Sequence, residues 1–336
     1  MKLMLFTLAL TLLFLGVVSH HTISAAERTS GLLLVANKGD QTLSIVDPQS
    51  GKQLAAVPVG GKTGHEVAAS PDGRTAWVPI YGDSGVGQPG TDGQMISVID
   101  LESRKRIALL DLGRPSRPHC PQFGSKNGLL YVTAELTKAI DVIDPSTQTI
   151  LSSIPTGAPE SHMMVISGDG TRAYTANVGP GTVSVIDLQH GKVVTTIPVS
   201  KSVQRIAISP DGRWVFTADQ TKPQLAMIDT DDNSVKKWIP LPDLGYGMAP
   251  TTDGTKLIVA HPSSASVSIV NLLTMKVETT IHVPPSPQEV LIQPGNSVAY
   301  VSCDRSKQVA VIDLPGKKLE KLIDVGSGAD GLAWAQ

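Results

Sequence analysis

Short apolar runs alternate with turns that contain glycine and aspartate along most of this chain. The clearest unit covers residues 168–209, where the turn signal Asp169-Gly170 precedes an apolar run at 173–177 and an alternating run at 182–187. A third run and a run of small residues complete the unit. Runs of roughly four to eight residues rich in Val, Ile, Thr and Tyr are typical of β-strands. The unit therefore predicts one four-stranded antiparallel sheet.

The same unit recurs along the chain. Measured at the end of the small-residue run, successive units lie 54, 43 and then repeatedly 42 residues apart. The measured positions are Ser70, Gly124, Ser167, Ser209, Thr251, Gln293 and Ala335. A fixed period with about four strands per unit is typical of propeller blades, because one such sheet cannot bury both of its faces alone. We therefore predict an all-β, seven-bladed β-propeller of four-stranded antiparallel blades.

The two ends of the sequence predict how the ring closes. The first unit offers strands at residues 32–37, 42–47 and 53–59 but has no inner strand before them. Residues 330–335 lie where an inner strand lies in the other units. We expect this C-terminal strand to pair with the three N-terminal strands, because closure removes exposed sheet edges.

Residues 1–26 predict a secretory signal peptide. An apolar run at residues 3–18 follows Lys2, and Ser24-Ala25-Ala26 supplies small residues for cleavage. The run is short for a membrane span, so a retained N-terminal anchor is the weaker alternative. We expect residues 27–336 to form one propeller domain that is periplasmic or secreted, monomeric and without a stable membrane span after cleavage.

Composition does not support a polyanionic partner. Charged residues make up 17% of the chain, the formal net charge is -2, and no basic or acidic run stands out. Nucleic-acid binding normally needs a basic patch, so the charge does not support it. The two cysteines, Cys120 and Cys303, belong to units far apart around the predicted ring. This favours free thiols, or one thiol used as a metal ligand, over a disulfide.

Three runs resemble a known repeat. They are LYVTAE at residues 130–135, AYTANV at 173–178 and AYVSCD at 299–304, each followed by V-I-D. They resemble the YVTN β-propeller repeat family, and the similarity covers the whole predicted mature chain. The resemblance implies the propeller fold. It also implies a periplasmic binding propeller, one type of which is linked to single-stranded DNA, while more distant propellers include lactonases and heavy subunits of quinone-dependent dehydrogenases.

Most repeated polar residues have a structural explanation. An aspartate ends the third strand in six units, with Asn271 in its place in the seventh. The six are Asp47, Asp100, Asp144, Asp187, Asp229 and Asp313. A side chain that bonds its own backbone in the next turn explains this recurrence, since repetition in every blade is typical of a structural device. Function is therefore expected where the units differ.

The units differ on the face that carries the fourth-to-first connections and the second-to-third loops. The 54-residue interval contains an insertion at residues 81–94, beginning with Tyr81, which we expect to form an ordered loop over the channel mouth. The entry position of the inner strand also varies on this face. It is occupied around the ring by His65, His119, His162, Gln204, Tyr246, Gln288 and Asp330.

Three histidines in consecutive units predict a metal site. Neutral imidazoles from His65, His119 and His162 could meet over the channel and bind zinc or copper. Candidates for a further ligand are Cys120, Glu66 and Asp330. The structural alternative is a histidine that bonds a neighbouring blade, because the family's repeat often carries His at this place. No sequential metal motif is present, so no cofactor is assured.

Three arginines predict a different ligand. Arg114 and Arg117 precede His119 in one loop, and Arg205 lies one residue inside another inner strand. The fixed fork of a guanidinium suits a carboxylate or phosphate, which predicts a small anionic ligand at the mouth. The structural alternative is that these arginines are solvated or bridge blades, since no phosphate loop is present.

Three functions remain open at this point. An exported binding or scaffold propeller, with a protein partner or a small ligand at the mouth, is favoured because the sequence has no nucleophile motif and no cofactor fingerprint. A lactonase-like or metal-dependent hydrolase would use the histidines with Glu66 or Glu289 as acid and base. A subunit of a redox complex would position a partner that carries the cofactor, since this chain has no haem attachment motif.

Overall fold

The computed structural model describes residues 31–336, and the predicted signal peptide lies outside that range. These residues form 28 strands in seven four-stranded antiparallel sheets. None of the described residues belongs to a helix long and apolar enough to span a membrane. The sheets form the blades of a ring, which confirms the predicted seven-bladed β-propeller.

The blades are numbered I to VII in chain order. Blade I contains β1 (Leu32–Asn37), β2 (Thr42–Asp47) and β3 (Lys52–Pro58). Blade II contains β4 (Ala68–Ala69), β5 (Thr75–Gly82), β6 (Asp92–Asp100) and β7 (Lys105–Asp111). Blade III contains β8 (Pro118–Phe123), β9 (Leu130–Ala134), β10 (Ala139–Asp144) and β11 (Thr149–Pro155). Blade IV contains β12 (Ser161–Ile166), β13 (Arg172–Asn177), β14 (Thr182–Asp187) and β15 (Lys192–Pro198).

The remaining blades follow the same plan. Blade V contains β16 (Val203–Ile208), β17 (Trp214–Asp219), β18 (Gln224–Asp229) and β19 (Ser234–Pro240). Blade VI contains β20 (Met248–Pro250), β21 (Lys256–His261), β22 (Ser266–Asn271) and β23 (Lys276–His282). Blade VII contains β24 (Pro287–Ile292), β25 (Val298–Cys303), β26 (Gln308–Asp313) and β27 (Lys318–Asp324), and β28 (Ala329–Ala335) returns to blade I as its inner strand.

The pattern of burial explains why these residues form stacked blades. The two middle strands of each blade are buried almost throughout, as in β1 and β14. The outer strands alternate instead, and β23 and β27 both have a regular succession of exposed and half-buried residues. Nearly continuous apolar runs suit strands covered on both faces, whereas alternation suits a rim with one face in solvent.

The repeated polar residues are structural, as the sequence predicts. Asp47 accepts hydrogen bonds from the Gln49 backbone N–H (3.0 Å) and the Ser50 hydroxyl (2.6 Å) in the turn after β2. Asn177 is fully buried, and its amide donates to Ser184 Oγ (2.9 Å) and Thr182 Oγ1 (3.0 Å) across the β13–β14 pair. These side chains satisfy local backbone and cross-strand groups, so they are not available for a ligand.

Ring closure is confirmed and generates the first testable prediction. β28 pairs antiparallel with β1, with Leu34 opposite Ala333. Deletion of residues 329–336 removes this pairing and exposes the edge of β1, so we expect loss of cooperative thermal unfolding, measured by circular dichroism. The matched control lacks only the exposed Gln336 and should melt like the parent. A cooperative transition at the parent's temperature after the longer deletion would contradict closure by β28.

Candidate functional site

Irregular pairing of the inner strands places the polar residues of the candidate site. In blade III the register passes from Pro118 directly to Pro121, so that His119 and Cys120 are outside the regular pairing with β9, although the Cys120 N–H donates to Thr133 Oγ1 (2.9 Å). The same shift occurs in the inner strands of blades I, IV, V and VII. The residues it leaves unpaired include His162, Arg205, Glu289 and Asp330. A bulge turns side chains away from their regular direction and is frequent next to functional sites.

Hydroxyl groups on the second strands satisfy the backbone at these bulges. Thr217 Oγ1 donates to the Arg205 carbonyl (2.7 Å), and Thr133 Oγ1 donates to the His162 carbonyl (2.7 Å) in the next blade. The Glu289 N–H donates to Ser302 Oγ (3.0 Å). Buried backbone groups must be paired, so these hydroxyls allow each bulge to persist inside the ring. Thr133, the threonine of the sequence VTA, therefore helps to hold the backbone of the site in place.

A pocket of 140 Å³ lies at the channel mouth, and we call it the mouth pocket. Six of the seven predicted entry positions line it; the exception is Gln288, whose amide donates to Ser286 Oγ (2.9 Å). Its lining residues are Lys38, His65, Tyr81, Ser84, Gly85, Val86, His119, His162, Gln204, Arg205, Tyr246 and Asp330. Six of the seven entry positions therefore lie around one pocket on the same face.

The insertion is an extended hairpin rather than a loop over its whole length. β5 continues through Tyr81 to Gly82 and β6 begins at Asp92, so only residues 83–91, which we call the roof loop, lie outside the strands. Tyr81 is 1% exposed and lies inside the molecule instead of beginning a surface loop. The predicted boundaries were wrong because glycine-rich ends of the insertion continue the β5–β6 pairing, with Gly82 opposite Asp92.

Buried polar contacts hold the roof loop over the pocket. The Tyr81 hydroxyl donates a short hydrogen bond to Glu135, which also accepts from the Gly87 N–H (3.0 Å). Arg117 contacts Asp92 (2.6 Å) and Glu135 (3.2 Å), and it donates to the Gln88 carbonyl (2.8 Å). Glu135 and Arg117 are both buried, so the ion pair between them lies out of water, where it is stronger than at the surface.

The three predicted histidines meet under the roof loop. The ring centroids of His119 and His162 are 3.6 Å apart, and those of His65 and His119 are 5.4 Å apart. The Tyr81 ring packs edge-on against His119, with centroids 5.3 Å apart. Burial, followed by nearby charges that include Arg205, holds the pKa values of His119 and His162 well below their usual range. Both imidazoles are therefore neutral near pH 7.

Three buried nitrogen atoms beside this pocket have no hydrogen-bond partner among the described residues. They are His119 Nδ1, His162 Nδ1 and Arg205 Nε. All three residues line the mouth pocket, and their exposed fractions are 2%, 5% and 3%. Leaving a buried polar group unpaired costs about 1–3 kcal/mol, so such atoms call for a partner from outside the fold.

Arg205 closes the floor of the pocket through a group of charges that we call the ion cluster. Its guanidinium contacts Glu66 (2.6 Å), Asp330 (2.9 Å) and, at short range, Glu289. Lys38 Nζ lies 3.1 Å from Asp330, and His65 Nδ1 lies 3.5 Å from the same carboxylate. The ion cluster therefore joins side chains from blades I, II, V and VII across the channel.

Burial separates the pKa values of the three carboxyl groups. Desolvation, then the like charges of Glu289 and Asp330, raises the pKa of Glu66 to about 8, although Arg205 acts in the opposite direction. Desolvation and the Asp330 charge raise the pKa of Glu289 to about 7. For Asp330 burial is opposed by the hydrogen bond to His65 and by the charges of Arg205 and Lys38, which hold its pKa below the usual range. The cluster thus retains a proton near neutral pH.

The predicted metal site is not formed by these side chains. Across residues 31–336 no group of three or more His, Cys, Asp and Glu side chains is arranged to hold a metal ion. Cys120 does not join the histidines, because its thiol lies in an apolar cluster and faces the Met164 carbonyl (3.5 Å) of blade IV. Burial raises the pKa of this thiol, which opposes the thiolate form that a metal needs. Cys303 lies in a different apolar cluster.

The predicted pair of arginines at the mouth is also not formed. Arg114 donates to Asp141 (2.8 Å) and Ser153 (3.1 Å), which belong to the third and outer strands of blade III, so it lies away from the channel. Arg117 supports the roof loop through Asp92 and Glu135 and does not line the mouth pocket. Arg205 alone of the three predicted arginines reaches the pocket.

Sequence reasoning missed Lys38 and the role of Glu135 as a partner of the roof loop. Lys38 follows β1 in a loop of ordinary length, so its sequence contains no signal of a role. Glu135 directly follows β9 and faces the insertion of the preceding blade. One signal could have identified Glu135. It is a charged residue immediately after a buried second strand, on the face where the units differ.

One protein-family model matches part of the chain. Residues 124–273, less than half of the chain, match the model described as the cytochrome D1 heme domain. The matched part includes His162 and Arg205 but not His65 or His119. A search of curated proteins found no match.

Solved structures are similar across most of the chain. Hydrazine synthase of Kuenenia stuttgartiensis is 21% identical with a TM-score of 0.71, covering 84% of this chain and 92% of that one. A functionally unknown protein of Desulfotomaculum acetoxidans is 14% identical with a TM-score of 0.76, covering 91% and 99%. The dihydro-heme d1 dehydrogenase NirN, in complex with DHE, is 16% identical with a TM-score of 0.66, covering 90% and 74%. These likenesses show the fold and support a propeller family, while membership of the YVTN family stays a prediction.

Proposed function

We propose that this protein is an exported binding propeller that holds a small polar molecule in the mouth pocket, beneath the roof loop. Export rests on the predicted signal peptide at residues 1–26. The observation that carries the proposal is the set of three unpaired buried nitrogens on residues that line one pocket. A ligand with hydrogen-bonding atoms would pair with groups that the fold leaves without partners.

The size and enclosure of the pocket define the ligand further. The volume of 140 Å³ is well below the roughly 300–1,000 Å³ of pockets for drug-sized molecules. The roof loop covers it through Ser84, Gly85 and Val86, and Arg205 fills the channel below. These features support a ligand of only a few heavy atoms that enters from the roofed face.

A second candidate is a haem-type or redox-related propeller, favoured by the family model that matches residues 124–273. The neutral imidazoles of His119 and His162 have suitable chemistry for such a group. A tetrapyrrole is larger than most drug-sized molecules, whose pockets measure roughly 300–1,000 Å³, so it does not fit a pocket of 140 Å³. We therefore favour the small ligand.

A titration with haemin distinguishes the two candidates. We expect no one-to-one complex in visible absorbance spectra of the parent protein, because the roof loop excludes the macrocycle. A stoichiometric complex that disappears in the H119Q/H162Q double variant would favour the haem-type function instead.

Shortening the roof loop tests the proposed site. We expect replacement of residues 83–91 by a two-residue turn to leave the fold intact, because surface loops contribute little to the core. Binding of formate, acetamide or methylammonium, measured by isothermal titration calorimetry, should weaken at least about tenfold through the lost enclosure. The control L273S alters a residue that is 82% exposed in a turn of blade VI and should bind like the parent. Equal binding by the shortened variant would place the site elsewhere.

The neutral histidines should also affect the pH dependence of stability. The unfolded chain takes up protons on His119 and His162 below about pH 6.5, whereas burial prevents this in the folded state. Their contribution to stability is therefore complete above that pH and lost as the pH falls, by up to about 1.4 kcal/mol per pH unit for each histidine.

Urea unfolding at several pH values measures this contribution. The free energy of unfolding of the parent should fall relative to that of H119Q/H162Q between about pH 6.5 and about pH 5. H282Q, which changes an exposed histidine at the end of β23, is the control and should follow the parent. A constant difference between parent and double variant would show that the two histidines are not held neutral.

A further inference from the structure

The guanidinium of Arg205 is oriented by three carboxylates but retains an unused donor. Its Nη atoms contact Glu66, Glu289 and Asp330, whereas Nε has no partner among the described residues. Arg205 lines the mouth pocket, as does Lys38. Glu66 and Glu289 contact the guanidinium but do not line the pocket. A ligand in the pocket therefore meets two cations and the single carboxylate of Asp330.

We propose that the mouth pocket binds a small monoanion, such as a short carboxylate or another oxyanion, at Arg205 Nε, together with one proton that the Glu66–Glu289 pair takes up from solvent. This inference rests on the proposed function and specifies the class of ligand. The proton comes from water, resides on one of the two carboxyl groups and returns to water when the anion leaves.

Charge balance in the ion cluster is the physical reason for the coupling. Three carboxyl groups, the buried Glu66 and Asp330 and the partly buried Glu289, face the two cations Arg205 and Lys38. An added anion would increase the negative charge of this enclosed region, and like charges in a poorly solvated site repel strongly. Protonation of one carboxyl group removes that repulsion and leaves Arg205 free to attract the anion.

The titration behaviour of the pair agrees with this geometry. The pKa of Glu66 is raised to about 8 and that of Glu289 to about 7, in both cases chiefly by desolvation. An anion beside Arg205 reduces the attraction that keeps these carboxyl groups ionised, so both values should rise further on binding. The pair can therefore accept a proton within the ordinary range of pH.

Every titratable or charged neighbour of the pair is part of this balance. Around the Glu66 and Glu289 carboxyl groups, the charged or titratable neighbours are Arg205, Asp330, His65 and Cys120. Those around Arg205 and Asp330 add Lys38, Tyr246, His119 and His162. The two buried histidines stay neutral and the buried thiol stays protonated, so none of these three groups exchanges a proton near neutral pH.

A cation or an uncharged ligand fits the residues that line the mouth pocket less well than an anion does. A small cation would lie against Lys38 and the Arg205 guanidinium, both of which would repel it. An uncharged amide could accept from Arg205 Nε through its carbonyl, but it would not change the charge of the cluster and would bind without proton exchange. These differences make the three classes separable by their response to pH.

The experiment uses formate as the anionic probe, acetamide as the neutral one and methylammonium as the cation. Calorimetric titrations of the parent protein at pH values between about 6 and about 9, in buffers of different ionisation enthalpy, give both Kd and the number of protons exchanged. For formate we expect a nearly constant Kd and no proton uptake below about pH 7. Above about pH 8 we expect Kd to rise about tenfold per pH unit, with uptake of one proton.

The E66Q/E289Q double variant tests the residues that take up the proton. Glutamine resembles a protonated glutamate, so this variant should bind formate near pH 8.5 as tightly as the parent does near pH 6.5, without dependence on pH. E278Q, at the blade rim where Glu278 pairs with Lys317 (2.8 Å), is the control and should keep the parent's pH dependence. If the double variant does not fold, the number of protons taken up by the parent protein still tests the proton coupling.

The outcomes separate this inference from the proposed function. Formate binding that does not depend on pH, or that keeps its pH dependence in E66Q/E289Q, overturns the proton coupling. Tighter binding of methylammonium, or equal binding of acetamide, overturns the choice of an anion, and the proposed function stands if shortening the roof loop abolishes that binding. Failure of all three probes to bind contradicts the proposed function itself.

Discussion

Pairing of β28 with β1 is the contact on which the rest of the molecule depends. Each blade covers its middle strands only if a neighbour packs on both sides, so an open ring would leave two faces and two edges in water. The same pairing places Asp330, close to the C terminus, against Arg205 of blade V, which also contacts Glu66 of blade II. The ion cluster therefore requires the closed ring, which links the stability of the fold to the chemistry at its centre.

A backbone irregularity that recurs in the inner strands positions the side chains of the candidate site. The inner strands of five blades skip residues in their pairing with the second strand at the same level, and hydroxyl groups satisfy the freed backbone. Because the backbone is repeated while the side chains differ, one geometry presents imidazole, guanidinium and carboxyl groups towards one point. Blade II adds the roof loop to this arrangement through its extended β5–β6 hairpin.

The channel mouth gathers unpaired polar atoms in one place. Single unpaired buried atoms also occur elsewhere, as at Ser97 and Trp334, but His119, His162 and Arg205 each retain an unpaired nitrogen and line the same pocket. Glu66 and Glu289 have raised pKa values although each contacts an arginine. Local departures of this kind reduce stability, and natural proteins concentrate them where they bind ligands. The proposals for the mouth pocket rest on this contrast.

The sequence by itself determined the period, the number of blades, most strand boundaries, ring closure and the convergence of the entry positions, because turn chemistry and apolar alternation are local properties. It also placed His65, His119 and His162 in one arc. Only the tertiary structure decided that Arg114 pairs with Asp141, that Arg117 supports the roof loop, and that Cys120 faces blade IV while His119 faces the channel. The direction of a side chain at a bulge, and the choice of partner for a long charged side chain, depend on residues up to 292 positions away that meet only when the ring closes.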